Sequence, residues 1–345
     1  MSLLVPGRGL RGARIGELAR RGQDPDGSGT APAWAVAARF TTPAGEAEIG
    51  TGTLPEGPPE NLAGRRVFRL DGAAPRTQAE IAARIAAVWL TPQMDRLFQE
   101  GASGRRRFLD RLVFALEPTH AREIAAHDAA MANRNRLLAQ GYADPAWLAG
   151  LEHQMARHSV AATVSRAALT ARLTAALAAN AAEFPAARIA LSCAIADRLA
   201  NAPALEVEDW VRDSLAASRT RDAAAGSSSV GAHRADMVLT DAASALPAGQ
   251  ASTGQQKALL VGTILAHARL IEQTRGFAPL LLLDEPAVHL DPARRAALFH
   301  ALMHLPAQVL VTGTDAETFL TLADTAEGLE AGGGELRRDP RFRPS

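Results

Sequence analysis

Leu280-Leu281-Leu282-Leu283-Asp284-Glu285, set between Pro279 and Pro286, is the stretch that decides the fold. So short a continuous apolar run reads as a strand covered on both faces, and therefore as part of a parallel sheet. Its two carboxylates fall at the strand's C-terminal end, the edge where open α/β sheets bind ligands. In a nucleotide hydrolase, Asp284 would hold the Mg²⁺ that bridges the phosphates, and Glu285 would orient or deprotonate the attacking water. Leu290-Asp291 follows, and Pro292, a favoured first-turn residue, opens the next helix. An ordinary buried strand with an acidic helix entry would show the same residues, so this stretch alone leaves the chemistry open.

A second segment lies upstream. Ala251-Ser252-Thr253-Gly254-Gln255-Gln256-Lys257 precedes an apolar helix from Ala258 to Leu270. Ser252 is a good N-cap and Gln255 stands three residues later, so a capped helix accounts for the pattern. The same geometry also makes an anion site. Free amides and the dipole converge at the helix start, and Gly254 lets a phosphate approach the backbone.

Composition limits the alternatives. Basic and acidic residues balance at 37 each, so there is no global electrostatic footprint for nucleic acid or membrane, and any DNA contact needs a local patch. The single cysteine, Cys193, excludes an intrachain disulfide, fits a reducing compartment, and lies among apolar neighbours as a core residue would. Leu3-Leu4-Val5 is cut short by Pro6-Gly7-Arg8, unlike a signal peptide, and no apolar run is long enough for a membrane helix. A cytoplasmic location is the expectation. Lys257 is the only lysine, so any motif that requires lysine can exist only there.

Along the chain, a short helix is expected over Ala13 to Arg20, and strands over Trp34 to Phe40, Ala47 to Thr53 and Arg66 to Leu70. Thr77 with Glu80 suggests a capping box for a helix to Ala87, and Val88-Trp89-Leu90 a short strand. Helical periodicity dominates from Ser103 to Arg219 and reads as an inserted arm or antiparallel bundle. The expected division is residues 1–102 and 223–331 as two parts of one head, 103–222 as the arm, and 332–345 as a disordered tail.

Taken in order, these blocks resemble the RecF family of the ABC and SMC ATPase superfamily. Ser252-Thr253-Gly254-Gln255-Gln256-Lys257-Ala258-Leu259-Leu260 resembles its signature helix, and Leu281 to Asp291 its Walker B strand and D-loop. Arg105-Arg106-Arg107-Phe108-Leu109-Asp110-Arg111, Asn133-Arg134-Asn135-Arg136 and Val311-Thr312-Gly313-Thr314-Asp315 extend the resemblance over most of the chain. The fold this implies is an α/β ABC/SMC-type ATPase head with an inserted helical arm. The function implied is that of an ATP-driven clamp, which binds single-stranded and gapped DNA and helps load recombinase in replication, repair and the SOS response. ATP, Mg²⁺, a second copy of the chain and mediators of the RecO and RecR type are the implied ligands and partners. On this resemblance Ser252, Gly254 and Gln255 read the partner copy's nucleotide, and Asp284 holds Mg²⁺ beside the Glu285 base. Gln93 is a Q-loop residue touching metal or water; Asp291 and Thr312 complete the nucleotide surroundings.

The chain also departs from the family pattern. Thr312 to Asp315 occupy the strand end where related ATPases place a histidine sensor. Gly231-Ala232-His233-Arg234-Ala235-Asp236 carries alanines where the family is richer in Pro and Asp, leaving His233 and Arg234 open between structural and functional roles. The phosphate loop G-x-x-x-x-G-K-S/T does not occur in these 345 residues, because Lys257 is followed by Ala258. The expectations are an N-terminally truncated head, from a late start or a shortened gene, and no tight ATP binding by the 345 residues alone. A catalytically dead scaffold is the alternative function. Candidate DNA contacts are Arg8, Arg11 and Arg14, with Arg105, Arg106 and Arg107; solvated helix faces would show the same spacing.

Overall fold

The computed structural model describes residues 1–7, 9–10, 12–19, 34–53, 66–141, 144–179 and 184–344. Strands β1 (Ala35–Thr42), β2 (Gly45–Thr53) and β3 (Arg66–Leu70) form the expected antiparallel sheet, with Ile49 and Ala47 turned into the core. Instead of a helix over Ala13 to Arg20, the described part forms one 3-10 turn, Ile15–Glu17, with no buried residue to hold a longer helix. Helix α1 (Gln78–Arg84) forms without the expected capping box. Thr77 makes no side-chain cap bond, and the Glu80 carboxylate accepts from the backbone of Arg76 at 3.2 Å instead.

Strand β4 (Ala87–Leu90) leads into α2 (Ala102–Leu116), α3 (His120–Ala139) and α4 (Pro145–Ala179). The helical run is then broken by β5 (Ala187–Ser192), which the sequence reading took as helix; α5 (Ala194–Leu199), α6 (Ala204–Ala217) and α7 (Arg219–Ala225) follow. β5 exists because β6 (Asp236–Asp241) pairs with it antiparallel over its whole length, from Ala187↔Asp241 at one end to Ser192↔Asp236 at the other. The chain then runs through α8 (Thr253–Arg275), β7 (Leu280–Asp284), α9 (Pro292–Met303) and β8 (Val309–Thr312). It closes in a hairpin of β9 (Leu329–Gly332) and β10 (Glu335–Arg338), where disorder was expected. Asp339 and Arg343 tie that hairpin back through amide bonds to Gly328 and Ala323.

β4, β7 and β8 form a parallel sheet with β7 in the middle, and Leu280 to Leu283 are buried as a two-faced strand requires. α8 packs on this sheet, and its residues Leu259, Leu260, Ile264 and Leu265 join Trp89, Leu281 and Phe299 in one core. A second core holds Leu148, Met155, Val160, Val211, Leu215 and Cys193 among α3, α4, α5 and α6. α4 spans both, with Met155 in the second core and Leu169, Leu173 and Leu177 in the first. Beside the second core the interior is ionic. Arg134 is fully buried and donates to Glu152 at 3.1 Å, to Asp222 at 2.9 Å and to the Leu215 carbonyl at 2.7 Å.

Candidate functional site

The parallel register places the predicted residues together. Leu90 pairs with Leu283, and Asp284 with Thr312, so β4, β7 and β8 all end at one edge. Gln93, exposed on the turn Pro92–Arg96, follows β4 there; Asp284 and Glu285 follow β7; Thr312 closes β8. The Thr312 hydroxyl donates to Asp284 Oδ1 at 2.7 Å and accepts from the Glu285 amide at 3.2 Å. One hydroxyl therefore fixes both acidic residues. Glu285 and His289 sit at positive φ, 51° and 66°, in the left-handed region that a side chain adopts only where its surroundings hold it.

The start of α8 is capped as its sequence predicts. Ser252 Oγ accepts from the Gln255 amide at 3.3 Å, and Gln255 Oε1 accepts from the Ser252 amide at 3.0 Å. Ser252 and Gln255 are exposed, yet each side chain is engaged by the other. Gly254 faces the loop after β7: a Cβ there would stand 3.2 Å from the His289 carbonyl and 3.7 Å from the Arg294 guanidinium. Asp291 caps α9 by accepting from the Arg294 amide at 2.8 Å. Between the loop after β7 and the turn after β8 lies an open cleft of about 260 Å³ lined by Glu285, His289, Arg295, Thr312, Asp315 and Phe319. Asp315 also caps its own turn. Its bonds from the Thr318 hydroxyl and then the Glu317 amide hold its carboxyl below the usual range.

Mg²⁺ binds through one or two carboxylates, with waters and phosphate oxygens completing the shell. Among the described residues no group of three or more His, Cys, Asp or Glu could hold a metal by itself. The Asp284 carboxylate, oriented by the Thr312 hydroxyl, could supply one ligand to such an ion and does not make a closed protein cage.

Elsewhere the structure corrects the arginine reading. Arg105 is bidentate to Asp236, at 2.8 Å to each oxygen, and Arg106 donates to the Ala235 carbonyl at 2.7 Å. Both join α2 to β6, and only Arg107 of that triplet is exposed. Arg8 and Arg11 lie outside the described residues, while Arg14 is exposed. Arg134, in the Asn133 to Arg136 block, is fully buried. The block from Gly231 is a structural junction too: Arg234 donates to the Ser228 carbonyl at 2.7 Å, and Arg166 to the Ala232 carbonyl at 2.6 Å. Sequence reasoning missed the Thr312 clamp and the pair formed by Lys257 and Asp95, at 2.8 Å. Both depend on which elements the fold makes neighbours.

The chain is 44% identical to a protein of Allorhizobium ampelinum named DNA replication and repair protein RecF, over 97% of this chain and 87% of the relative. The chain belongs to the RecF family. The protein of the same name from Mesorhizobium japonicum is also 44% identical, with 97% and 86% covered. Residues 196–312, from α5 to β8, match a family model described as "AAA domain, putative AbiEii toxin, Type IV TA system". Two solved structures share the fold. One is described as the recombination mediator protein RecF-ATPrS in the RecFOR pathway (TM-score 0.81, 18% identity, 97% of this chain and 86% of that one). The other is the RecF-ATP structure of the same pathway (TM-score 0.77, 20% identity, 97% and 87%). The α/β fold expected of a RecF-family chain is the one observed.

Proposed function

We propose that this RecF-family chain is the body of a DNA-binding ATPase acting in replication and recombinational repair. The relatives' shared name, DNA replication and repair protein RecF, and the ATP in the description of a structure of the same fold support that reading. The observation that carries it is the Thr312 clamp at the sheet's C-terminal edge, which holds Asp284 and Glu285 in one fixed geometry. In this reading Asp284 holds Mg²⁺, Glu285 holds the attacking water, and Gln93 reaches the same edge from β4. Ser252 and Gly254 present the dipole and amides of α8 to a nucleotide carried by a second copy, with Gln255 shaping the cap and Asp291 the D-loop beside it. Magnesium, when bound there, would supply charge neutralisation at the phosphates. The remaining parts of the proposal are single-stranded and gapped DNA as ligand, recombinase loading with RecO- and RecR-type mediators, the SOS response and a cytoplasmic location.

The test is sedimentation of the protein as its native cell makes it, with and without Mg²⁺ and ATPγS, alongside binding to gapped DNA. A nucleotide-dependent dimer, retained in Glu285→Gln while turnover is lost, is the expected result. A protein that stays monomeric yet binds gapped DNA would replace this reading with that of a scaffold.

A further inference from the structure

Lys257 is 1% exposed, in the second turn of α8. Burying an ammonium costs several kcal/mol unless it is paired, and a cation near a helix N-terminus also opposes the dipole. An apolar residue would pack there at less cost, as Ala258 and Leu259 do next to it. Lys257 is held instead by both oxygens of Asp95, with Nζ 2.8 Å from Oδ1 and 3.0 Å from Oδ2. The Asp95 side chain is 24% exposed, so one end of the pair is anchored in the core while the other reaches the surface.

Asp95 sits two residues after Gln93 on the turn Pro92–Arg96, and Met94 between them is buried. Just beyond this turn the backbone also passes close to the approach to α8: the Phe98 carbonyl lies 2.9 Å from where a Cβ on Gly249 would stand. Gln93 is therefore carried on a turn fastened to α8, five residues along from Ser252.

We infer that Lys257 is a positioning residue that couples the Gln93 turn to the start of α8 through Asp95. This rests on the ATPase reading above. There Gln93 belongs to the face that meets the subunit's own nucleotide, while Ser252 and Gly254 meet the one carried by the partner copy. A shift of the turn passes through a bidentate ion pair into the helix start, so occupancy at one site biases the other in the same subunit. Coupling of that kind is reciprocal.

The experiment is an ATP titration of dimer formation in the full protein, for wild type, Lys257→Met, Asp95→Asn and Lys257→Arg, with melting curves for each. The wild type should titrate with a Hill coefficient approaching about two, the ceiling for two sites. Lys257→Met and Asp95→Asn should fall toward one while still binding nucleotide, and Lys257→Arg should keep most of the cooperativity. Folded Lys257→Met and Asp95→Asn with wild-type cooperativity would overturn the inference and leave the ATPase reading standing. No nucleotide-dependent dimer in the wild type would overturn the ATPase reading itself, and this inference with it. Hydrogen exchange on the wild type supplies a measurement free of folding defects: residues 92–97 and 253–258 should gain protection together on adding ATPγS. Protection confined to one of the two segments would also overturn the coupling.

Discussion

Thr312 links two residues through a single oxygen, so its replacement is informative. Thr312→Val keeps the shape and removes both the bond to Asp284 and the bond from the Glu285 amide. Net loss for such bonds is about 1 kcal/mol each, less where water can substitute. Urea unfolding should therefore move by about 1 kcal/mol, while Glu285, at positive φ, loses the contact on its amide. Arg134 is a harsher case. Arg134→Met leaves the buried Glu152 and Asp222 carboxylates short of a cation, and removing one partner of a buried pair costs about 3–5 kcal/mol. Arg219 still donates to Glu152 at 2.9 Å, and Ser218 to Asp222 at 2.7 Å, which places the expected loss at the lower end of that range. A loss below 1 kcal/mol in urea titrations would contradict the burial argument.

At the scale of elements, α8 is specified locally at both ends. The Ser252–Gln255 box starts it, and Gly276, at φ 71°, stops it in the left-handed conformation that glycine adopts without strain. Ser252→Ala should lower stability by about 1 kcal/mol through the lost cap, and Ser252→Gly by a few tenths, both read from thermal melts. An equal loss for both would mean the cap bond contributes little. β5 illustrates the opposite case. Ala187 to Ser192 has exposed and buried residues in alternation, but it follows a long alanine-rich helix and depends on β6 for every ladder bond. Arg105 strengthens that neighbourhood from a third element by gripping Asp236 of β6.

For the whole molecule, the buried His267 and the half-buried His233 set an acid limit. Burial pushes His267 down to about 3, against a partly opposing bond to the Leu112 carbonyl; Arg111 and Arg172 add to the lowering. Burial likewise pushes His233 to about 4, opposed by its bond to Ser228, with His127, Arg234 and Arg106 contributing. Both rings stay neutral in the folded protein, while the unfolded chain takes up protons below about 6.5. The unfolded state thus binds more protons between about pH 6.5 and 3, so stability should fall steadily as pH drops through that window. Unfolding midpoints at pH 7.5 and 4.5 check this, and equal midpoints would refute it. If DNA is gripped through phosphates, log affinity should fall linearly with log salt, and Arg107→Ala should reduce the slope by about one. An unchanged slope would remove Arg107 from the interface. His267→Leu should flatten the acid limb without changing the salt slope, because His267 is buried away from any surface contact.

Leu280 to Glu285, the α8 cap and Asp291 with Pro292 were all legible in the sequence, because each is set by neighbours within a few residues. Apolar runs, caps and turn residues act through local backbone chemistry, and the chain's order of blocks was enough to point to the family. The tertiary structure alone decided the rest. It gave Ala187 to Ser192 a strand partner, Thr312 its two carboxylate neighbours, and Lys257 its aspartate 162 positions away. It also engaged Arg105 and Arg106, both candidate DNA contacts, in internal ties from α2 to the start of β6, and buried Arg134 among carboxylates. A side chain's charge can be read from the sequence, but whether it faces solvent or a buried carboxylate depends on packing between elements far apart along the chain.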